Sequence, residues 1–139
     1  MSDGIDEFRD CEGCYCRGIR RAARVITQHY ARYLRPMGLR GTQFTLLVAL
    51  SRSGPMAMNR LAKRLDMDRT TLTRNLRPLA AKGWVAIEQD EDRRVHNLEI
   101  TAKGRAIARK ALPAWREAQR TAPEKLAGLG LSAMLSGRA

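Results

Sequence analysis

The chain has 139 residues, 44% of them hydrophobic, which is enough apolar material for one domain with its own core. Lysine and arginine outnumber aspartate and glutamate by 26 to 14, and the resulting formal net charge of +12 favours a polyanionic partner. No apolar run is long enough to span a bilayer, and no signal peptide is visible. We therefore expect a cytoplasmic protein that does not bind membranes and whose cysteines are reduced.

The first predicted element is a long amphipathic helix over residues 14–34. Its apolar stripe consists of Ile19, Ala22, Ala23, Ile26, Tyr30, Tyr33 and Leu34. A helix of about five to six turns cannot bury this whole stripe against so small a domain. Part of the stripe is therefore expected to meet a second subunit.

The next elements are a helix over residues 42–51 and then two short helices joined by a tight turn at residues 66–67. The two short helices are predicted over residues 58–65 and 69–82. Leu72, Leu76 and Leu79 lie on one side of the second of these, and Asp68 occupies its N-cap position. Pro78 is expected to bend the last turn, and Gly83 to end the helix.

The side of this second helix opposite the leucines is cationic and hydroxylated. It presents Arg69, Thr70, Thr73, Arg74 and Arg77. Between Arg52 and Lys82 there are eight cations and two acids, so this window holds half of the net charge. A lone charged run would be read as a solvated surface. Clustering on a helix-turn-helix pattern instead predicts a surface that binds double-stranded DNA.

After Gly83 the apolar residues recur at every second position. Val85 and Ile87 alternate in one run, and Val95, Leu98 and Ile100 in the next, which predicts a two-stranded hairpin with a charged tip at residues 89–94. A further helix starts at Thr101, and Pro123 and the Gly128/Gly130 pair are expected to loosen its C-terminal end. The order of elements predicts a mainly α fold with a small β-hairpin wing, that is, a winged helix-turn-helix with flanking dimerisation helices.

Several segments in this order resemble the MarR family of bacterial transcriptional regulators. They are residues 42–47 (TQFTLL), 61–74 (LAKRLDMDRTTLTR), 79–85 (LAAKGWV), 92–94 (DRR) and 100–104 (ITAKG). The resemblance implies a homodimer that binds a palindromic operator and usually represses genes until a ligand or oxidant lowers its affinity. It also implies one domain over residues 1–139, with a winged helix-turn-helix core at 42–101 and dimerisation helices at 14–35 and 102–127.

The resemblance assigns DNA contacts residue by residue. Those on the helix are Arg69, Thr70, Thr73, Arg74 and Arg77, and those on the wing are Arg93 and Arg94. Asp92 would orient Arg94 through a charge-assisted hydrogen bond. The alternative for Asp92 and Arg94 is a polar hairpin tip that closes on itself.

Cys11, Cys14 and Cys16 form a C-x-x-C-x-C pattern at the start of the first helix. One interpretation is a thiol switch, because some MarR members sense peroxides or electrophiles through an N-terminal cysteine. Tyr30 follows Cys16 by fourteen residues, a spacing that resembles the peroxide-sensing branch. The two would lie roughly 21 Å apart along one helix, so they could meet only across a dimer.

Two other interpretations of the cysteines stay open. Thiolates suit zinc or copper(I), so the chain could be a metal-responsive regulator or a metal-handling protein, although three sulfurs are an incomplete zinc set. The cysteines could also be small apolar residues on a dimer stripe. We predict no metal site and no cofactor.

An effector pocket is a further prediction. In the family, ligands bind between the dimer helices and the DNA-binding lobe, and the candidate lining here is Tyr30, Tyr33, Met37 and Phe44. Such residues at helical spacing are also typical of plain core. The sequence has no nucleophile elbow, H-E-x-x-H or P-loop motif, so no enzyme and no catalytic residue is predicted. A non-specific architectural protein that binds nucleic acid through charge alone remains an alternative.

Overall fold

The computed structural model describes residues 7–89 and 96–130. Its helices are α1 (Tyr15–Leu34), α2 (Gly41–Ser53), α3 (Met58–Arg64), α4 (Arg69–Ala81) and α5 (Ala102–Ala127), and its strands are β1 (Met56–Ala57), β2 (Val85–Gln89) and β3 (His96–Ile100). Single 3₁₀ turns lie at Arg9–Cys11 and Arg35–Met37. This order confirms the predicted winged helix-turn-helix class. Within the described ranges, no helix is long and apolar enough to cross a membrane.

The core lies where α2 meets α3, α4 and the sheet. Its largest fully buried side chains are all leucines: Leu34, Leu46, Leu47, Leu50, Leu61, Leu72, Leu76, Leu79 and Leu98. Burying a leucine stabilises the fold by about 2 kcal/mol relative to leaving it exposed. The helix pair is therefore anchored by side chains from both of its helices.

The sheet has one strand more than the predicted hairpin. Strand β3 is central, with β2 on one side and β1 on the other, and all pairs are antiparallel. Met56 stands opposite Leu98, so β1 ties the segment before α3 to the wing. The prediction of only two strands is wrong, because a strand of two residues is too short to show a period of two.

Helices α1 and α5 pack against each other. Ala111, Ala118 and Ala122 are buried on α5, and these small residues let the helix approach its neighbours closely. The helix continues through Pro113 and Pro123 to Ala127. The loosening expected at Pro123 is wrong, because the two proline rings lie on the exposed side of the helix and do not interrupt its packed side. The helix ends directly before Gly128, in agreement with the loosening expected at the Gly128/Gly130 pair.

The first turn of α5 rests directly on the chain between α4 and β2. The Thr101 hydroxyl donates to the Gly83 carbonyl over 2.6 Å and accepts from the Gly104 N–H at 3.0 Å. A Cβ on Gly104 would lie 2.1 Å from the Trp84 carbonyl oxygen. The base of the wing and the start of α5 are thus in direct backbone contact.

Candidate nucleic-acid interface

Helix α4 is fixed to the core by its apolar side. Leu72, Leu76 and Leu79 are 0–1% exposed. At its start the Asp68 carboxylate accepts hydrogen bonds from the Thr71 N–H and the Thr71 hydroxyl, both at 2.7 Å. These bonds, the one from the backbone N–H first, lower the pKa of Asp68. The N-cap predicted from the sequence is therefore present in the structure.

The turn before α4 is tight. Asp66 adopts a φ of +51°, a left-handed conformation that Asp tolerates better than most side chains. The Met67 N–H then donates to the Ala62 carbonyl over 2.9 Å and ends α3. This geometry holds α3 and α4 at a fixed angle, as in a helix-turn-helix.

The other side of α4 forms an open concavity of about 470 Å³. Its lining residues are the five predicted on the helix: Arg69, Thr70, Thr73, Arg74 and Arg77. Four of them are exposed, and Thr73 is half-buried. The Thr73 hydroxyl donates to the Arg69 carbonyl over 2.8 Å, so it can offer its oxygen to a ligand but not its proton.

The three arginines of this concavity have no carboxylate partner in the described part of the chain. The ion pair found there joins Arg120 to Glu117 on α5, away from α4. The guanidinium groups of Arg69, Arg74 and Arg77 are therefore free to contact phosphates or guanine edges.

The wing begins from the pair of β2 and β3, whose register runs from Val85 opposite Ile100 to Gln89 opposite His96. The predicted wing residues Asp92, Arg93 and Arg94 lie outside the described residues.

All three cysteines are free and exposed. Cys14 is the N-cap residue of α1, and Cys16 lies in its first turn. Across the described ranges, no group of three or more His, Cys, Asp or Glu side chains is placed to hold a metal ion. The thiols are thus accessible to reagents, but they do not converge on one point in this structure.

The four residues predicted for an effector pocket do not share one cavity. Tyr30 lines a cavity of about 350 Å³ between α1, α2 and α5, together with Trp115 and Gln119. Tyr33 lines a different cavity. Phe44 is buried and stacks on Trp115 with ring centroids 5.9 Å apart, and Met37 packs against the core. Phe44 is thus removed from solvent, whereas Met37 is only half-buried.

A polar contact between α1 and α5 was not predicted from the sequence. His29 is 5% exposed, and its Nε2 lies 2.9 Å from the Ala118 carbonyl oxygen and 3.0 Å from the Thr121 hydroxyl. The Tyr30 hydroxyl beside it donates to the Gln119 side chain. The position of His29 on the apolar side of α1 indicates a buried histidine. Its hydrogen-bond partners could not be predicted, because they lie 89 or more residues further along the chain.

Comparison with known proteins agrees with this geometry. The family model described as "MarR family" matches residues 37–95. The uncharacterised HTH-type transcriptional regulator YwoH of Bacillus subtilis is 34% identical over 83 residues, which are 60% of this chain and 61% of YwoH. The chain spans between about half and three fifths of the length of the curated relatives that it matches first (61% and 53%).

Solved structures extend the match over most of the chain. The M. tuberculosis transcriptional regulator MosR, solved in complex with DNA, is 42% identical, with a TM-score of 0.70 over 88% of this chain and 98% of MosR. Reduced AbfR, solved bound to DNA, has the same fold at 22% identity, with a TM-score of 0.70 over 95% of this chain and 97% of AbfR.

The family match covers the helix-turn-helix and most of the wing, and the similarity to MosR adds α1 and α5. The chain therefore belongs to the MarR family of winged-helix transcriptional regulators.

Proposed function

We propose that this chain is a DNA-binding transcriptional repressor that acts as a homodimer on a palindromic operator in the cytoplasm, without catalytic activity. The observation that carries the proposal is the concavity on α4, where Arg69, Arg74 and Arg77 face solvent with no carboxylate partner in the described ranges. The DNA-bound MosR structure gives independent support.

Selection of binding sites from random duplex DNA tests the proposal directly. An operator-binding regulator should enrich one palindromic sequence and bind it roughly 10³-fold or more tightly than random DNA at physiological salt. A non-specific architectural protein would enrich none and would lose nearly all affinity as salt rises. Failure to enrich any sequence would contradict the proposal.

Substitutions on α4 and the wing should weaken operator binding without unfolding the protein. We expect Arg74→Ala and Arg94→Ala each to cost about 1–3 kcal/mol of operator binding, the usual loss for one arginine at a guanine edge. Arg116→Ala on the exposed surface of α5 removes the same charge and is the matched control. Unchanged operator affinity of both variants in a fluorescence anisotropy titration would remove these residues from the interface.

The homodimer is supported by apolar side chains at the N-terminal end of the chain. Phe8, Tyr15 and Ile19 are 63%, 50% and 53% exposed, and two of them lie on α1. In a two-fold dimer the two α4 helices would enter major grooves about one helical turn apart. Light scattering at micromolar concentration should give twice the chain mass. A monomer would contradict the palindromic-operator model.

We propose an oxidant or electrophile as the signal, because Cys11, Cys14 and Cys16 are accessible. An electrophile would alkylate a thiolate, whereas a peroxide would take two electrons and two protons from two thiols, which become a disulfide as the peroxide leaves as water and an alcohol. Treatment should release the operator from the wild type but not from a variant with all three cysteines replaced by serine. A fully alkylated protein that still binds operator would contradict the switch.

Two other effectors are distinguished by simple measurements. A small ligand in the cavity beside Tyr30 would release operator equally from the wild type and the serine variant. A metal-responsive regulator would retain zinc or copper after purification, and the serine variant would lose it.

A further inference from the structure

A second open groove lies alongside α4. It has a volume of about 810 Å³. Its walls are the end of α1 at Thr27 and Ala31, the segment over residues 35–43, and the side of α4 that carries Arg74 and Pro78, continued by Lys82 at the C-cap. Arg74 lines both this groove and the concavity described above, so the two are continuous. Arg74, Pro78 and the C-cap residue Lys82 are spaced four residues apart and therefore follow one side of α4 to its end.

The lining of this groove is strongly cationic. Arg35, Arg40, Arg74 and Lys82 all contribute to it and are exposed, and no Asp or Glu of the described residues lines it. None of the four cations takes part in an ion pair within the described ranges. Four cations in one concave surface without a neutralising carboxylate create a field that attracts an anion.

The two walls are tied together by side-chain hydrogen bonds. The Thr42 hydroxyl donates to Asn75 Oδ1 over 3.1 Å, and Lys82 Nζ donates to the Gly38 carbonyl oxygen over 2.9 Å. Lys82 Nζ also lies 4.6 Å from the centre of the Trp84 ring. The residue 35–43 segment therefore keeps a fixed position relative to α4 before any ligand binds.

The groove lies beside the α4 concavity, and the two share Arg74. A duplex that presents its major groove to Arg74 and Arg77 has a sugar–phosphate strand on either side of the helix. We propose that the groove holds the backbone phosphates of one of these strands, with Arg35, Arg40 and Lys82 as phosphate contacts. This inference rests on the proposed function and adds contacts outside the helix-turn-helix, which fix the register on DNA without reading sequence.

The test compares two double variants on two duplexes, namely the selected operator and a random sequence of equal length. Arg35→Ala/Arg40→Ala should weaken binding to both duplexes by the same factor. The slope of log affinity against log salt should become smaller by about 1.8 for each protomer and therefore by about 3.6 for the dimer, so that the loss of affinity between 50 and 200 mM salt becomes about 150-fold smaller. Arg109→Ala/Arg116→Ala on α5 removes the same charge and should leave the slope nearly unchanged.

Neutral methylphosphonate linkages, introduced one at a time into the operator, locate the contact. At one or two linkages flanking the bases read by α4, the wild type should lose several-fold in affinity and Arg35→Ala/Arg40→Ala should lose none. Equal losses for both proteins at every linkage would overturn the inference, as would a salt slope of the double variant equal to that of the α5 control. A wild-type protein that binds no duplex would instead overturn the proposed function.

Discussion

Helix α4 and the N-terminal half of α1 differ in how completely this chain covers their apolar residues. On α4 the three leucines are fully buried and the polar side faces solvent, so one chain covers all the apolar side chains of this line. On α1 Tyr15 and Ile19 remain about half exposed, although they belong to the same helix as the fully buried Leu34. A soluble surface seldom leaves neighbouring large apolar side chains uncovered without a partner.

The two regions are held in place by different contacts. The cationic surface of α4 is organised by contacts inside the chain, through the core leucines and the Asp68 cap. The end of α1 that carries the cysteines is organised only in part by the chain itself. Changes to α4 should therefore alter the stability of one chain, whereas changes near Ile19 should alter association.

The largest effect is expected from Leu76→Ala, which breaks the attachment of α4. Leu76 is 1% exposed, and truncation of such a buried leucine costs about 3 kcal/mol through lost burial and the cavity left behind. Urea denaturation followed by circular dichroism measures it. Ile87→Ala in the middle of β2, where the side chain is 38% exposed, is the control and should cost far less. A loss below about 1 kcal/mol for Leu76→Ala would mean that the buried leucines do not anchor α4 to the core.

An intermediate effect is expected from Ile19→Asp, which acts on the other region. A carboxylate in an apolar interface is costly to desolvate, so the dimer dissociation constant should rise by at least about tenfold. The melting temperature of the isolated chain should hardly change, because Ile19 is 53% exposed there. Sedimentation velocity measures the dissociation constant.

Ile87→Asp provides the matched control for Ile19→Asp, since Ile87 is also an exposed isoleucine, 38% exposed, but lies on the sheet. It should leave the dimer dissociation constant unchanged. Equal effects of the two substitutions on association would mean that the exposed end of α1 is not the interface.

The smallest effect is expected from Asp68→Ala, which removes the cap of α4. The pKa of Asp68 is lowered in the folded chain from 3.8, so the stabilisation it provides is complete above pH 3.8 and is lost as pH falls through the lower folded value. The variant should melt a few degrees below the wild type at pH 7, and the two should converge at strongly acidic pH.

Asp68→Asn separates capping from charge in this experiment. Asparagine is also a good N-cap, so this variant should melt near the wild type at pH 7 and show less dependence on pH. A constant difference between the wild type and Asp68→Ala across the acid range would show that the Asp68 carboxylate does not stabilise the helix.

Features encoded by neighbouring residues could be predicted from the sequence. The cap at Asp68, the buried line of Leu72, Leu76 and Leu79, and the cationic side opposite them all follow from helical spacing within one segment. The five candidate residues on α4 line one surface for the same reason, since a helix fixes their relative positions without help from the rest of the chain.

Features that depend on distant residues could not be predicted. Strand β1 exists because Met56 meets Leu98, 42 residues later, and its two residues carry no pattern of their own. The sequence predicts Phe44 as pocket lining, but α5 brings Trp115 against it. The burial of His29 likewise needs Ala118 and Thr121 across the helix pair. The groove beside Arg74 also joins two segments that are separate in the sequence.

The contact at Gly104 limits which substitutions the chain can tolerate. Any other residue would place its Cβ 2.1 Å from the Trp84 carbonyl oxygen, a backbone atom that cannot turn aside as a side chain can. At Gly128 the nearest atom to an added Cβ is 3.6 Å away, which is ordinary van der Waals contact. If codons 104 and 128 were randomised together, folded clones would carry glycine at the first position and a mixture of residues at the second.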